Sequence, residues 1–579
     1  MKKLSLLIGC FLALAGFSQT NIICTNSTAE DIMLGNYNPS DYAATTVIDD
    51  HDDIIQGIDA EINPDSLKAY IIKMATFDTR NTGADTVSQT TGIGAARRWA
   101  FSKFEQFSTD NDNRLQPSYL QFDQNICAQA QHRNIFAVLP GTDVADNKVI
   151  IIEGHFDSRC QGTCDTACVA QGIEDNASGS ALVMELARVM SKYTFKNTFV
   201  FMLTIGEEQG LYGANAFSQF AVDTQMDIEA VLNNDVIGGV ICGETSSGPS
   251  CPGLNDVDST QVRFFSRGGF DSPNKQLSRY IKLQYKEELQ GIVDVPMLIT
   301  IMTSEDRVGR GGDHIPFRQD GFSAMRFTSA NEHGDASNGT GYTDRQHTHN
   351  DILGVDTSGN MIIDSFFVDF NYLARNAVIN GVSGAMIAIG PLQPDFNVIS
   401  NNVSGPEIEV HITDQTQYAT YRVALRTAEN DWDTVYTMNG IVATIQLPIE
   451  TEYIISVASV DSDNIESLFS HEVILDFTEL GIIKQEHSKQ AFRLLQNKPN
   501  PFDESTTITV KSMNHIDYKL AFIVIKDVQG KEVERLPIDL DGEMNEVIYQ
   551  HGYGKAGVFL YSLEVDGDEL ATKRMIFAN

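Results

Sequence analysis

Positive charge is scarce in this chain. Its 579 residues hold 41 Lys and Arg against 78 Asp and Glu, a formal net charge of −37. The acidic residues run through every segment, and a field of that sign repels nucleic-acid phosphates and anionic lipid while it favours solubility. No nucleic-acid partner is expected. Long apolar runs are missing too: past the first residues, no stretch approaches the roughly 20 apolar residues of a membrane-spanning helix. Charged residues are only 21% of the chain and hydrophobic ones 42%, which speaks for a globular protein and against a disordered one. The length exceeds that of one ordinary domain, so several are expected.

Cysteine is thinly used, with eight in all. Cys10 lies in MKKLSLLIGCFLALAGFSQT, where a basic start (Lys2, Lys3), an apolar stretch and the small residues Gly16 and Ser18 precede Gln19. This is the pattern of a secretory signal over residues 1–18, too short to span a membrane and removed on export. An exported protein can form disulfides from the cysteines that remain. Cys242 and Cys251 bracket a Gly/Ser/Pro loop that a bond between them would close, and Cys160, Cys164 and Cys168 are spaced C-x-x-x-C-x-x-x-C. A thiolate metal site at that triplet would need a fourth ligand and a reducing environment, so disulfides are expected there instead, drawing on Cys127 or Cys24. Loss of Cys10 with the signal turns the eight cysteines into an odd number, which leaves one thiol free.

Residues 19–61 are polar, rich in Asp and Asn and weakly periodic, and read as a loose leader or propeptide-like segment. Helical periodicity begins at NPDSLKAYIIKMATF (63–77) and returns in GIGAARRWAFSKFEQF (92–107). Strands are expected at 134–141, 148–154, 198–206, 228–235 and 323–329, with a helix over 181–193 whose Leu182, Leu186 and Val189 belong to the core. The alternation implies an α/β domain over residues 62–385, with a mixed, mostly parallel sheet flanked by helices. Helical patterning stops near GPLQPDF (390–396). Short strands fill 391–480 and, beyond the polar linker KQEHSKQ, 490–579, so two β-sandwich domains are expected after the first.

Five short segments carry the chemistry: GHFDS (154–158), IEDNASG (173–179), IGEEQG (205–210), NNDVIGG (233–239) and QHTHND (346–351). Each follows an apolar run, and His155 with Asp157, the Glu207-Glu208 pair and Asp235 fall just past the carboxyl ends of expected strands, where open α/β sheets place ligands. His155, Asp175, Glu208, Asp235 and His347 make a mixed imidazole and carboxylate set suited to two zinc-like ions. Such a site also needs an unligated base, and adjacent residues at a strand end point in different directions, so one Glu of the pair can bind metal while the other faces the water. His349 competes with His347, and Asp313-His314 in GGDHIPF is a further pair of candidate ligands. Metal-assisted hydrolysis is the chemistry these residue types imply.

In this order the five segments resemble the co-catalytic zinc aminopeptidase family of the bacterial leucine aminopeptidase type, whose zinc exopeptidase fold the first domain would share. The likeness extends upstream to ATFDTRNTG (75–83) and GIGAARRW (92–99), and downstream to GRGGDHIPFRQDGFSAMRFTSANE (309–332). It implies that His155 and Asp235 hold one zinc, Glu208 and His347 the other, and that Asp175 bridges them. Glu207 would be the general base, and Asp157 would orient His155; Asp351 would do similar work near His347. The family's His-Thr-x-x-Asp spacing selects His347 over His349 and leaves Asp313-His314 as lining. Tyr342 is a candidate for stabilising the oxyanion. The implied substrates are peptide or protein N-termini.

Residues 391–480 resemble a fibronectin type III module in the placement of Tyr421, Trp432 and Tyr453 and in the VDSDNIES turn. The last segment resembles the C-terminal sorting domain of the type IX secretion system, through Pro499-Asn500-Pro501-Phe502, the Asp527 to Gly530 turn, Gly557-Val558 and Lys573-Arg574. That likeness implies the type IX secretion machinery as a partner, and a secreted or cell-surface protein exported through the periplasm of a Gram-negative bacterium. Two rival functions stay open: a single-zinc glutaminyl-peptide cyclotransferase-like enzyme, and a surface binding protein with an inert peptidase domain. Arg307, Arg310 and Arg345 leave room for a carboxypeptidase as well.

Overall fold

A computed structural model describes residues 19–241, 256–307, 310–330, 345–400, 407–427, 431–447, 452–476, 492–512, 520–527, 531–540, 542, 544–551, 557–565 and 568–578. Cys242, Cys251 and Tyr342 lie outside the described residues. The first domain runs in the order β1 (Thr20–Cys24), α1 (Ser27–Met33), α2 (His51–Glu61), α3 (Pro64–Ala75), α4 (Gly92–Asp110), β2 (Gln116–Ile126), β3 (Gln129–Leu139), β4 (Val149–His155), α5 (Ser178–Met190), β5 (Thr198–Thr204), α6 (Tyr212–Thr224) and β6 (Ile228–Asn234). It continues with β7 (Gln261–Phe265), α7 (Pro273–Gln284), β8 (Leu298–Ile301), α8 (His314–Gln319), β9 (Ala324–Ser329) and α9 (Phe370–Ile389). Local chemistry sets many of the helix starts. Asn63 accepts from the Asp65 N–H with Pro64 following it, Ser272 caps α7, and Asp369 accepts from the N–H groups of Asn371 and Tyr372.

All nine strands form one sheet in the order β1-β2-β3-β5-β4-β6-β9-β7-β8. The ladders β5–β4, β4–β6, β6–β9 and β7–β8 are parallel, whereas β1–β2, β2–β3, β3–β5 and β9–β7 are antiparallel. The sheet is thus mixed, and parallel chiefly at its centre, which corrects the expected mostly parallel sheet. A tight hairpin is one reason. Cys127 and Ala128 both take positive φ (48° and 65°) between β2 and β3, a turn that only antiparallel strands can use. Strands β4 and β5 are buried along their whole length, as expected of central strands covered on both faces. Helices α2, α3, α4, α5, α7 and α9 pack in one cluster on one face, and α1, α6 and α8 in another on the opposite face.

The loose reading of residues 19–61 is overturned. Strand β1 adds to the sheet edge by pairing with β2, and Ala29, Ile32 and Met33 of α1 are buried. Helix α2 buries Ile54, Ile55 and Ile58, and Ile58 lies over Gly381 of α9, where an added Cβ would come within 3.1 Å of it. Apolar residues four apart on a short polar helix are enough to dock it once a complementary groove exists.

Beyond α9, Phe396–Ser400, Glu407–Ile412 and Val442–Gln446 form one antiparallel sheet, and Thr420–Arg426, Thr434–Asn439, Glu452–Val460 and Val473–Asp476 a second. Tyr421 and Tyr453 are buried in their shared core, whereas Trp432 packs tilted against Phe469, ring centroids 4.1 Å apart, in the cluster of the first domain. Helix α7 meets this unit through a buried charged seam. The Glu472 carboxylate accepts from Arg279 (3.0 Å), twice from Arg426 (2.6 Å each) and from the Asp271 N–H (2.8 Å). A final pair of sheets, over residues 492–550 and 521–577, shares a separate core around Phe492, Tyr549, Tyr561 and Phe577.

The docking of α2 is measurable. Ile58→Ala should destabilise the first domain by about 2–5 kcal/mol, the range for emptying a buried Ile site. Chemical denaturation would read it, and a loss under about 0.5 kcal/mol, as at unconstrained surface sites, would restore the loose segment.

Candidate metal centre

The parallel centre of the sheet gathers the five segments. His155 ends β4 and is level with Thr204, the last residue of β5, so Glu207 and Glu208 sit just beyond that edge. Asp235 follows the last residue of β6 at the same edge. Asp175 reaches in from a short helical turn, Ile173–Ala177, ahead of α5. His347 comes from the connection between β9 and α9.

The distances divide the cluster in two halves around one carboxylate. His155 Nε2 lies 3.0 Å from Asp175 Oδ1 and 3.4 Å from Asp235 Oδ1. His347 Nε2 lies 3.0 Å from Asp175 Oδ2 and 3.1 Å from Glu208 Oε2. Donor atoms of His155, Glu207 and Asp235 all fall within 4.8 Å of one another, and so do those of Asp175, Glu208 and His347. Each half could hold a divalent ion, with Asp175 offering one oxygen to each side. The donor set fits zinc in kind, being imidazole and carboxylate throughout. Glu208 Oε1 is buried without a hydrogen-bond partner, as a coordinating atom would be before its ion is added.

Charge coupling inside the cluster is strong. Burial opposes a charged His347, yet Glu208 and Asp175 outweigh it and push its pKa up to about 9. His155 is likewise raised well above the usual range against its burial, with Glu207 and Asp235 the main causes. Asp175 is driven well below the carboxylate range: burial opposes this, but hydrogen bonds from both imidazoles prevail. Glu207 moves the other way, raised by burial and by the neighbouring Asp235 and Glu208 carboxylates over the opposing pull of His155.

The surrounding groups fix these positions, and not always as expected. Asp157 is fully buried, with Oδ1 3.7 Å from His155 Nδ1; that ring nitrogen is nearer the Asp157 backbone carbonyl, at 3.1 Å. The Asp157 carboxylate instead accepts from the N–H groups of Glu207 and Glu208 (3.3 Å each) and from the Thr82 hydroxyl (3.1 Å), so it anchors the Glu-Glu turn. The Asp351 carboxylate accepts from the Glu174 and Asp175 N–H groups at 2.9 and 3.0 Å. In the Asp-Asn-Ala-Ser-Gly run, Asn176 donates to the Asn234 carbonyl and accepts from the Gly179 N–H. Gly179 must be glycine for this approach, because a Cβ there would lie 2.1 Å from the Asn234 oxygen. Arg80, in the upstream ATFDTRNTG segment, donates to the carbonyls of Phe156, Gln171 and Gly172, on both sides of the connecting loop.

The remaining candidates fall outside the cluster. His314 hydrogen-bonds the Glu305 carbonyl at 3.1 Å, and Asp313 accepts the Thr204 hydroxyl, with burial pushing its pKa up to about 7. His349 is exposed, and Arg345 stacks on Phe367 at 3.5 Å. Cys127–Cys164 and Cys160–Cys168 are disulfides, which removes the thiolate site; Cys24 is buried and free. Sequence reasoning missed Arg326, which faces Asp235 at 3.1 Å and Asp306 at 2.8 Å, and Arg159, which donates to Glu208 at 2.7 Å. Arg159 directly follows GHFDS, the one signal that marked it. Arg326 sits inside an apolar strand and gave none.

The sequence pattern of peptidase family M28 matches residues 134–248, the stretch that contains His155, Asp175, Glu207, Glu208 and Asp235. A probable zinc metalloprotease of Pyricularia oryzae is 30% identical over 421 residues, 69% of this chain and 80% of that protein. The chain belongs to peptidase family M28. It is accordingly a zinc metallopeptidase. Another probable zinc metalloprotease, from Leptosphaeria maculans, is 28% identical over 420 residues and is covered over 92% of its length. Among solved structures, the Legionella pneumophila LapA aminopeptidase is similar over 60% of this chain and 77% of its own, at 18% identity and a TM-score of 0.42. The glutaminyl cyclase of Porphyromonas gingivalis is similar over 55% of this chain and 97% of its own, at 14% identity and a TM-score of 0.37.

Two outcomes follow for metal uptake. A His347 pKa near 9 means the metal-free site is protonated at neutral pH, while a ligating imidazole must be neutral. Zinc uptake should therefore release protons, and apparent affinity should climb as pH rises toward 9. Titration calorimetry in buffers of different ionisation enthalpy reads this, and a buffer-independent heat would refute it. Asp351→Ala should weaken zinc binding by about 10–100-fold through loss of the Asp175 anchor, measured by competition with a chelator; unchanged affinity would remove that role.

Proposed function

We propose that the chain is a secreted aminopeptidase that removes N-terminal residues from peptides with two bridged zinc ions and Glu207 as general base. The observation that carries this reading is Asp175, whose two oxygens each stand 3.0 Å from a different imidazole. His155 and Asp235 would hold one ion, Glu208 and His347 the other. When bound, the pair supplies a water of lowered pKa and an electrophile for the scissile carbonyl. Glu207 takes the proton of the attacking water and returns it to the leaving amine. Burial and the neighbouring Asp235 and Glu208 carboxylates raise its pKa, which supports a group that first takes and then returns a proton. Asp157 keeps Glu207 and Glu208 splayed by accepting both of their backbone N–H groups.

The aminopeptidase direction rests on the resemblance of the five segments to that class. Residues 391–480 would be a fibronectin type III-like module, and 490–579 a type IX secretion sorting domain that takes the protein, after loss of residues 1–18, to the cell surface or beyond. Among the described residues, no helix is long and apolar enough to cross a membrane.

Glu207→Gln should lower kcat on aminoacyl chromogenic amides by about 10²–10⁴ while zinc content stays at two per chain by elemental analysis. Robust activity in that variant would sink the assigned mechanism. One zinc per chain in the active wild type would favour the cyclase-like site instead.

A further inference from the structure

Arg326 lies inside the apolar strand β9, fully shielded from solvent. The ladder sets it opposite Asn233 of β6, just ahead of Asp235, and the same strand anchors the Asp235 backbone. The Asp235 N–H donates to the Phe327 carbonyl at 3.1 Å. Its own carbonyl accepts from Thr328 Oγ1 at 2.7 Å and from Arg326 Nε. Arg326 Nη2 then stands 3.1 Å from Asp235 Oδ2, while Oδ1 faces His155 Nε2 at 3.4 Å. The carboxylate is thus divided between a guanidinium behind it and the metal centre in front.

The guanidinium does not depend on Asp235 for its place. Nη1 donates to both Asp306 oxygens, at 2.8 and 3.1 Å, and to the Gly311 carbonyl at 3.1 Å. Those acceptors come from the connection between β8 and α8, so the fork is braced by a separate segment. Gly312 closes it in, since an added Cβ there would lie 3.2 Å from Nη1. A planar fork braced in this way cannot follow a carboxylate that turns, so Oδ2 is kept back. Balancing the buried Asp306 accounts for Nη1 alone; Nε and Nη2 are turned to Asp235.

A carboxylate can give an ion one oxygen or both, and the second takes a position that substrate would otherwise use. Catalytic zinc sites keep such a position open. A cation on the far oxygen also draws charge from the near one, which leaves the ion a stronger electrophile. We propose that Arg326 is a positioning residue that restricts Asp235 to Oδ1 and so keeps a coordination position open on the His155 side. It acts through Asp235 and touches no substrate. The inference rests on the metallopeptidase reading of the site but not on the direction of cleavage.

The test uses the full chain, loaded with zinc or with cobalt, and three variants: Arg326→Gln, Arg326→Lys and the double variant Arg326→Gln with Asp306→Asn. The double variant removes both buried charges, so it keeps the fold should Arg326→Gln strand Asp306. In both Gln variants kcat on aminoacyl chromogenic amides should fall about 10–100-fold with KM little changed. Zinc affinity, by competition with a chelator, should hold or rise, because a positive charge has left the neighbourhood of the ion. The visible absorption of the cobalt-loaded protein should weaken, since a second Asp235 oxygen raises the coordination number. Arg326→Lys keeps the charge without the fork and should recover part of kcat. Wild-type kcat and spectrum in the double variant would reduce Arg326 to a counter-charge for Asp306 and overturn the inference. A fall in zinc affinity alongside kcat would overturn it as well, leaving only a support for the ligand. If the wild type hydrolyses no peptide, the peptidase reading fails and the cobalt spectra still decide: an Arg326-dependent change upholds the positioning role, and identical spectra overturn it.

Discussion

One carboxylate holds the centre together. Asp175 is buried, and a buried unpaired carboxylate is strongly disfavoured; here each oxygen faces an imidazole, which keeps the group ionised. Its position depends on several distant segments at once. Asp351 clamps the backbone at 174–175, Asn176 ties the same turn to the end of β6, and Gly179 lets α5 close on that strand. Moving any of these would separate the His155 half of the site from the His347 half.

The Glu-Glu turn is held by the same logic from the other side. Thr82 accepts from the Gly206 N–H and donates to Asp157, and Asp157 accepts from the next two N–H groups. A residue distant in sequence, in the ATFDTRNTG segment, thus sets where the base begins. Around this lies an unusual number of buried arginines. Arg80 spans backbone carbonyls, and Arg326 pairs with Asp235 and Asp306. Planar forked donors suit these roles because one side chain can satisfy several acceptors in a fixed geometry.

The later sheets are joined to the first domain by more than a linker. The Glu472 carboxylate takes donors from α7 and from the neighbouring strand, and Tyr280 and Gln284 of α7 donate to Glu466. Removing one partner from this seam of buried charge would leave the other uncompensated and out of water. Trp432, which the sequence suggested as a mark of the second unit, contributes to this contact with Phe469.

The sequence by itself determined the central strands, the helices α3 to α5 and the group of acidic and histidine residues at the strand ends. Uninterrupted apolar runs and helical periodicity are local properties, and residues just past parallel strand ends converge whatever the details. It did not disclose the antiparallel flanks or the docking of α1 and α2. The Cys127-Ala128 turn lacks glycine or asparagine, and the few apolar residues of α2 make sense only against the groove of α9. The site divides the same way. Residue types and order named His155, Asp175, Glu207, Glu208, Asp235 and His347. Only the tertiary structure could put Asp351 on the Asp175 backbone, turn Asp157 toward the Glu-Glu turn, and aim Arg159 and Arg310 at His347, because each of these contacts joins segments far apart in the chain.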